Sequence, residues 1–402
     1  MPTVLSLTEV LQQFRLPLTE SEVQAHLRQP PPSPAIRSHH DPLPVRVPRP
    51  VTPTPRHVYT FDVAGFANAI HRDLADSVAG YAMRVQQGSS IVCTLEWNWA
   101  REPQDGGVGW TPARRMHIAS CSKLVTGIAM TKLLDEHNLS PDSKIIDYLP
   151  TYWAKGPGVD QVTFRQLLTH HSGFHYGQDE TPSTYGFMKD QVAAGTSNVG
   201  MESYQNMNYG LCRILISTVS GAIPTDFALS VPMPTLWDPL WDLATLRIYE
   251  SYCAAKLFGP ANVTDASHEP RNDDVLGYPF PVTGNGWDSG LVSNSPGGLG
   301  WHLSVDDLLR IMRAFRRDGT IVTPAKAQAA LEAHFGVDGS GSTPLGDYFV
   351  KNGGWSHPDG RTVGCVAYFF PHDVECVVFV NSPLQNKDLT GLVGAHYLEN
   401  VT

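Results

Sequence analysis

The chain has 402 residues, 42% of them hydrophobic and 17% charged, with a formal charge of −10. That much apolar material builds a sizeable core and excludes wholesale disorder, and an acidic chain with no long basic run excludes nucleic acid as an expected partner. The length corresponds to about two or three domains, and the 35 Gly and 32 Pro call for many turns and irregular connections.

The opening MPTVLSLTEVLQQFRLPLTESEV has no basic segment followed by an apolar run and a small-residue cleavage site, so no secretory signal is expected. LSLTEVLQQFRL and SEVQAHLRQ each have the spacing of a short amphipathic helix. Ten of the prolines then fall between Pro30 and Pro55. Proline fixes φ and removes a donor, so this stretch is expected to be an extended linker or a strap on a surface. Residues 1–56 therefore read as a proline-rich N-terminal extension, and the folded body as 57–402.

Within that body, FDVAGFANAIHRDLADSV is spaced as a helix, and GYAMRVQQGSSIVCTLEWNWA as two strands around a QGSS turn. HIASCSKLVTGIAMTKLLDEHNL is the strongest helical pattern in the chain. A helical and looped middle follows, forming a lobe over roughly 140–295. Near the end, DYFVKNGGWS, RTVGCVAYFF and CVVFVNS read as three adjacent antiparallel strands, the last two turning at Pro371–Val374. The expected fold class is α+β: an αβα sandwich whose antiparallel sheet is built from both chain ends, with flanking helices and an inserted, mainly helical lobe. No run of about 18 apolar residues occurs, so no membrane span is expected. The six cysteines are scattered without a CxxC pair and read as buried small apolar residues in a reducing, cytoplasmic compartment.

Three short motifs carry possible chemistry. Ser120 and Lys123 lie three apart at the start of the strongest helix and so share a face. Unpaired backbone N–H groups there favour a developing negative charge, and a serine beside an amine is a sensible nucleophile and base. Tyr204 and Asn206 precede a second helical run; a tyrosine can shuttle a proton, and an asparagine offers both a donor and an acceptor to a carbonyl. Lys351, Asn352, Gly353 and Gly354 head the C-terminal strands, where glycines allow close approach to a backbone that can complete an oxyanion hole. Taken singly, these are a helix cap, a core aromatic and an ordinary turn.

In this order, the three motifs resemble those of the penicillin-recognising serine hydrolases: class C β-lactamases, D-alanyl-D-alanine peptidases, and related esterases and transacylases. FRQLLTHHSGF, LFGPANVTDA and PGGLGWHLSVDDLLRIM resemble further segments of that family. The resemblance spans roughly 58–400 and makes 57–402 a catalytic domain. It implies a catalytic Ser120, Lys123 and Tyr204 and a substrate-binding Asn206, Lys351, Asn352, Gly353 and Gly354; Trp355, next to Gly354, reads as a wall of the acyl pocket. Lys351 would tune the Tyr204 hydroxyl. The third motif reads Lys-Asn-Gly rather than Lys-Thr-Gly, which puts an amide where a hydroxyl often binds a β-lactam carboxylate. With the missing secretory signal, this favours an esterase or transacylase over an antibiotic-degrading enzyme.

The expected activity is therefore serine acyl hydrolysis or acyl transfer on an ester, amide or lactam of a small molecule. The alternatives are a β-lactamase or D-amino-acid peptidase, and a catalytically inactive binding relative. No cofactor and no metal are expected: His170 and His171 read as residues that hold a loop, and the sequence has no HExxH or Cys/His cluster.

Overall fold

In the computed structural model, strands from the two ends of the chain pair with each other, as their alternating and continuous apolar runs predict. The structure describes residues 7–13, 16–28, 60–180, 182–227, 234–290, 295–385 and 387–401. The expected proline-rich strap between Pro30 and Pro55 lies outside the described residues. In chain order the principal elements are α1 (Leu7–Gln13), α2 (Glu20–Leu27), α3 (Val63–Leu74), β1 (Gly80–Gln87), β2 (Ser90–Arg101), β3 (Val108–Gly109), β4 (Met116–His117) and α4 (Ser122–Glu136). The middle contributes α5 (Phe164–Leu168), α6 (Tyr185–Ala194), α7 (Asn206–Val219) and α8 (Trp237–Cys253). The last third contains β5 (His302–Leu303), α9 (Val305–Arg316), α10 (Pro324–Glu332), β6 (Gly339–Thr343), β7 (Gly346–Ser356), β8 (Thr362–Phe370), β9 (Val374–Val380) and α11 (Leu389–Glu399).

Two units emerge. One gathers the described residues of Ile36–Leu124, Pro260–Leu291 and Gly300–Thr402; the other gathers those of Met1–Ala35, Val125–Gly259 and Val292–Leu299. The first is organised by a seven-stranded antiparallel sheet of order β3-β2-β1-β9-β8-β7-β6. Strand β1 pairs with β9 from Tyr81↔Val380 to Gln87↔Val374, so residues about 300 apart in sequence meet at the centre of the sheet. Every residue of β9 is buried, as expected of a central strand covered on both faces.

Alternation along the strands divides the cover. Tyr81, Met83 and Val85 point to one face, where they pack with Phe66, Ile70 and Leu74 of α3 and Val393 and Tyr397 of α11. Arg84 points to the other face and donates to Asp306 of α9, and Glu375 of β9 accepts from Arg317 beside the same helix at 2.9 Å. Helix α9 begins with a capping box, Ser304 Oγ taking the Asp307 N–H while the Asp307 carboxylate accepts the Ser304 N–H. The layers are therefore helix, sheet, helix, in agreement with the α+β reading. The β8–β9 hairpin turns where the sequence predicts, with His372 and Asp373 both at φ +57.

In the second unit, α7 is buried along almost its whole length and packs on α8. Helix α2 also lies against α8. There His26 meets Asp242 at 3.2 Å, and Asp242 in turn accepts from the fully buried Arg213 at 2.6 Å.

Candidate active site

Ser120 does not sit in the first turn of the α-helix. It lies in a 3-10 turn, Ala119–Cys121, two residues before the start of α4. Ala119 takes φ +45, a region disfavoured for a residue with a Cβ. The next turn returns Lys123 beneath the serine, and Lys123 Nζ donates to Ser120 Oγ at 3.0 Å, with both side chains buried. Ser122, between them, is fully buried and its Oγ accepts the Trp301 N–H at 3.2 Å.

Strand β7 runs against this turn. A Cβ on Gly353 would lie 2.6 Å from Ile118 O, 2.7 Å from Cys121 N and 2.9 Å from Ser120 N, all of them backbone atoms. Only glycine allows the strand to pass here. Two buried thiols seal the contact: Cys121 Sγ donates to Lys351 O at 3.6 Å, and Cys365 Sγ, across the ladder from Gly353, donates to Ile118 O at 3.0 Å.

Along β7 the neighbouring positions alternate. Lys351 is buried, and its ammonium donates to Asp338 Oδ1 at 2.7 Å, Asp338 Oδ2 at 2.8 Å and Asn352 O at 2.8 Å. The side chain of Asn352 turns to the opposite face, where Nδ2 donates to Thr390 Oγ1 of α11 at 3.2 Å, while its backbone N–H donates to Asp338. Gly354 pairs with Gly364 of β8. Trp355 is buried, donates its indole N–H to Ser289 O at 3.2 Å and meets the His117 ring edge-on at 5.7 Å.

His117 and His302 sit side by side on the short β4–β5 pair, ring centroids 5.2 Å apart. Burial pushes both below the ordinary histidine value, His302 to about 3, and both rings are neutral near pH 7.

The second motif stands in the other unit at the N-terminus of α7. The Tyr204 ring lies over the His170 ring at 4.3 Å. His170, at φ +59, accepts the Gln205 N–H on Nδ1 at 3.2 Å. Ser172 Oγ donates to Asn208 Oδ1 at 2.6 Å, and Tyr209 OH donates to Leu168 O at 2.7 Å. The LLTHHSG segment thus braces the Tyr204–Asn206 junction, and His171 closes its own turn by meeting Thr169 O. Asn206 Nδ2 donates to Glu180 Oε2 at 3.2 Å.

Asp338 and Glu180, which hold Lys351 and Asn206, are not part of any motif in the sequence and lie in loops. Their one legible signal is an acidic residue within reach of a buried lysine or amide, which needs the fold to be seen. Among the described residues no cluster of three His, Cys, Asp or Glu is placed to hold a metal, and no helix is long and apolar enough to cross a membrane.

The model of the family described as Beta-lactamase matches residues 66–392. The chain belongs to that family. Its members are serine hydrolases built on this fold, which is the coarse function of the chain. A lovastatin esterase of Penicillium rubens is 24% identical over 279 residues, covering 58% of this chain and 65% of that protein. The matched stretches span between 21% and 65% of the curated relatives' own lengths. Among solved structures, the octameric penicillin-binding protein homologue of Pyrococcus abyssi superposes with a TM-score of 0.59 at 18% identity, covering 83% of this chain and 76% of that one. The D-amino acid amidase of Ochrobactrum anthropi superposes at 0.58 and 14% identity, covering 84% and 98%. At these identities the superpositions establish the fold alone.

Proposed function

We propose that the chain is a serine acyl hydrolase or acyltransferase that acts on an ester, amide or lactam of a small molecule through an acyl-enzyme. The observation that carries this reading is the buried hydrogen bond from Lys123 Nζ to Ser120 Oγ, 3.0 Å long, at a turn pressed against the β7 backbone. Ser120 Oγ attacks the carbonyl carbon and gives its proton to Lys123. The carbonyl oxygen becomes an oxyanion that accepts hydrogen bonds donated by the backbone N–H groups of Ser120 and Gly354; each such donor is worth about 10²–10³ in rate. The C–O or C–N bond then breaks, the leaving group takes a proton, and the acyl group stays on Ser120. Water, an alcohol or an amine releases it.

Tyr204 as the proton donor to the leaving group, and Asn206 as a substrate contact, are assigned from the order of motifs along the chain. Lys351, clamped by Asp338, fixes the strand that carries Gly353 and Gly354, and Trp355 walls the acyl group. Hydrolysis of an ester is favoured by likeness to the lovastatin esterase. A cytoplasmic location belongs to the same reading and is supported by six free cysteines.

The test is turnover of p-nitrophenyl butyrate, with fluorophosphonate labelling and mass mapping of the adduct. Ser120→Ala is expected to lose more than 10³-fold of kcat, as removal of a nucleophile does. Undiminished turnover would sink the assignment, and an adduct on Ser122 would relocate the nucleophile. Added amine separates the two acyl fates: aminolysis product in excess of free acid marks a transferase.

A further inference from the structure

The sheet unit also contains a cavity of about 390 Å³ that is lined by none of Ser120, Lys123 and Lys351. It opens where β2 ends and β8 begins, and its walls include Arg101, Arg271, Arg361, Asn272, Trp287 and Asp288. Trp287 is fixed by a two-way backbone pair with Gly277, at 2.8 and 2.9 Å, and by the His357 ring at 5.3 Å.

The three guanidinium groups are not equivalent. Arg361 is neutralised by Asp359, with Nη2 at 2.7 Å from its carboxylate, and donates to Gly286 O. Arg271 pairs with Asp265. Arg101 is half-buried and is held by backbone carbonyls alone: Nε donates to Asp105 O at 3.2 Å, and Nη1 to Asp274 O at 2.9 Å. Among the described residues no carboxylate pairs with it. Carbonyls orient a guanidinium without cancelling its charge, and a cation withdrawn from water without a counter-ion is costly. The cavity it lines also offers an indole wall and an amide from Asn272. A guanidinium fork matches a carboxylate or phosphate, and an indole matches a flat ring.

We propose that this cavity is a binding site for a small aromatic anion, a carboxylate or phosphate, with Arg101 on the charged group and Trp287 against the ring. Asp288, exposed at the rim, opposes the anion and limits its affinity. The ligand chemistry could be the far end of an ester substrate or a separate small molecule. Trp355 donates to Ser289, the residue after Asp288, so the tryptophan beside Gly354 is tied to the loop that walls the cavity.

The experiment titrates the full chain with benzoate, phenyl phosphate and, as the neutral control, benzyl alcohol, following tryptophan fluorescence and heat. At least one anion is expected to bind about tenfold or more tighter than benzyl alcohol. Arg101→Gln is expected to remove that preference, the size of a lost hydrogen bond to a charged group, and Asp288→Asn to tighten the anion several-fold. Equal binding of anion and alcohol, or an unchanged preference in both variants, overturns the proposal. Should Arg101→Gln fail to fold, Asp288→Asn alone decides. The source is read by comparing p-nitrophenyl hydrogen terephthalate with p-nitrophenyl benzoate. A rise in KM confined to the anionic ester in Arg101→Gln identifies a substrate subsite, whereas anion binding with no ester effect identifies a separate ligand. Binding persists in Ser120→Ala, so failure of the hydrolase reading leaves this result intact.

Discussion

Strand β7 meets the Ser120 turn backbone to backbone; around Tyr204 the bracing is mainly by side chains. The 3-10 turn that presents Ser120 is pressed against β7 so tightly that no Cβ fits on Gly353, and the two elements come from opposite ends of the sheet unit. The junction before α7 is held mainly by side chains, with His170 Nδ1 accepting the Gln205 N–H and Asn208 tied to both Ser172 and His170, beside one backbone bond from the Ser203 N–H to His170 O. Backbone contacts place an N–H group to within a few tenths of an ångström and fail abruptly, because a strand cannot move alone. Side-chain contacts yield gradually, because rotamers and water can substitute for a lost partner. The first construction suits a group that must meet a developing charge in a fixed geometry; the second suits one that delivers a proton.

The sharpest way to break this contrast is Gly353→Ala. The added methyl meets three backbone atoms at 2.6–2.9 Å, so either β7 or the Ser120 turn must shift. Displacing one oxyanion donor costs about 10²–10³ in kcat, and kcat for p-nitrophenyl butyrate in Gly353→Ala should fall by that amount while its circular dichroism stays native. A loss below threefold would show that the strand has slack and that the contrast is wrong.

Much of this fold is legible in the sequence. Strands β1, β2, β7, β8 and β9 announce themselves because alternation or a continuous apolar run matches their burial, and α4 because its apolar residues are buried on several sides. Strand β6, Gly-Ser-Gly-Ser-Thr, has no such pattern; it exists because β7 offers it an edge to pair with. The geometry of the Ser120 turn is not legible: SxxK at a helix start looks the same whether the serine is helical or, as here, two residues outside behind an alanine at φ +45. Asn352 reads as a binding residue in the linear motif, yet strand alternation sends its side chain to Thr390. Alternation is visible in sequence, but which face meets Ser120 is decided by the glycine contact.

Beneath the backbone contact, the buried histidines provide a second, smaller effect. The folded value of His302 is about 3, well under the unfolded value of about 6.5. The folded state then binds fewer protons than the unfolded state below pH 6.5. Stability from this group is full above that pH and is lost as the pH falls towards 3. By pH 5 the loss is about 2 kcal/mol for His302; His117 shifts the same way, and Arg115 and His268 also disfavour the charged form. Glu375 and Asp274, pushed up to about 7 and about 6, pull in the opposite direction. The readout is therefore the difference in slope between wild type and His302→Gln in urea unfolding at pH 5, 6, 7 and 8. Parallel slopes would refute the assignment.

The smallest effect is expected on the side-chain-built half. In Ser172→Ala, Asn208 loses a 2.6 Å donor and the Phe174 N–H loses its 3.2 Å acceptor, at a buried position. A single neutral hydrogen bond contributes about 1 kcal/mol net, and 1.4 kcal/mol is a factor of ten in rate. The Phe174 bond lies within the serine's own turn, and even if the whole cost of the Asn208 bond fell on the position of Tyr204, kcat should drop by about fivefold. Asn208 keeps a second tie to the brace, since its Nδ2 lies 3.3 Å from His170 Nδ1, so the junction can settle rather than open. The comparison of interest is the ratio of the two variants. Gly353→Ala should cost at least twentyfold more kcat than Ser172→Ala, although each changes a single small group at a buried contact. Equal losses would mean that both halves are rigid to the same degree, and that backbone and side-chain bracing do not divide the work of placing an acceptor and delivering a proton.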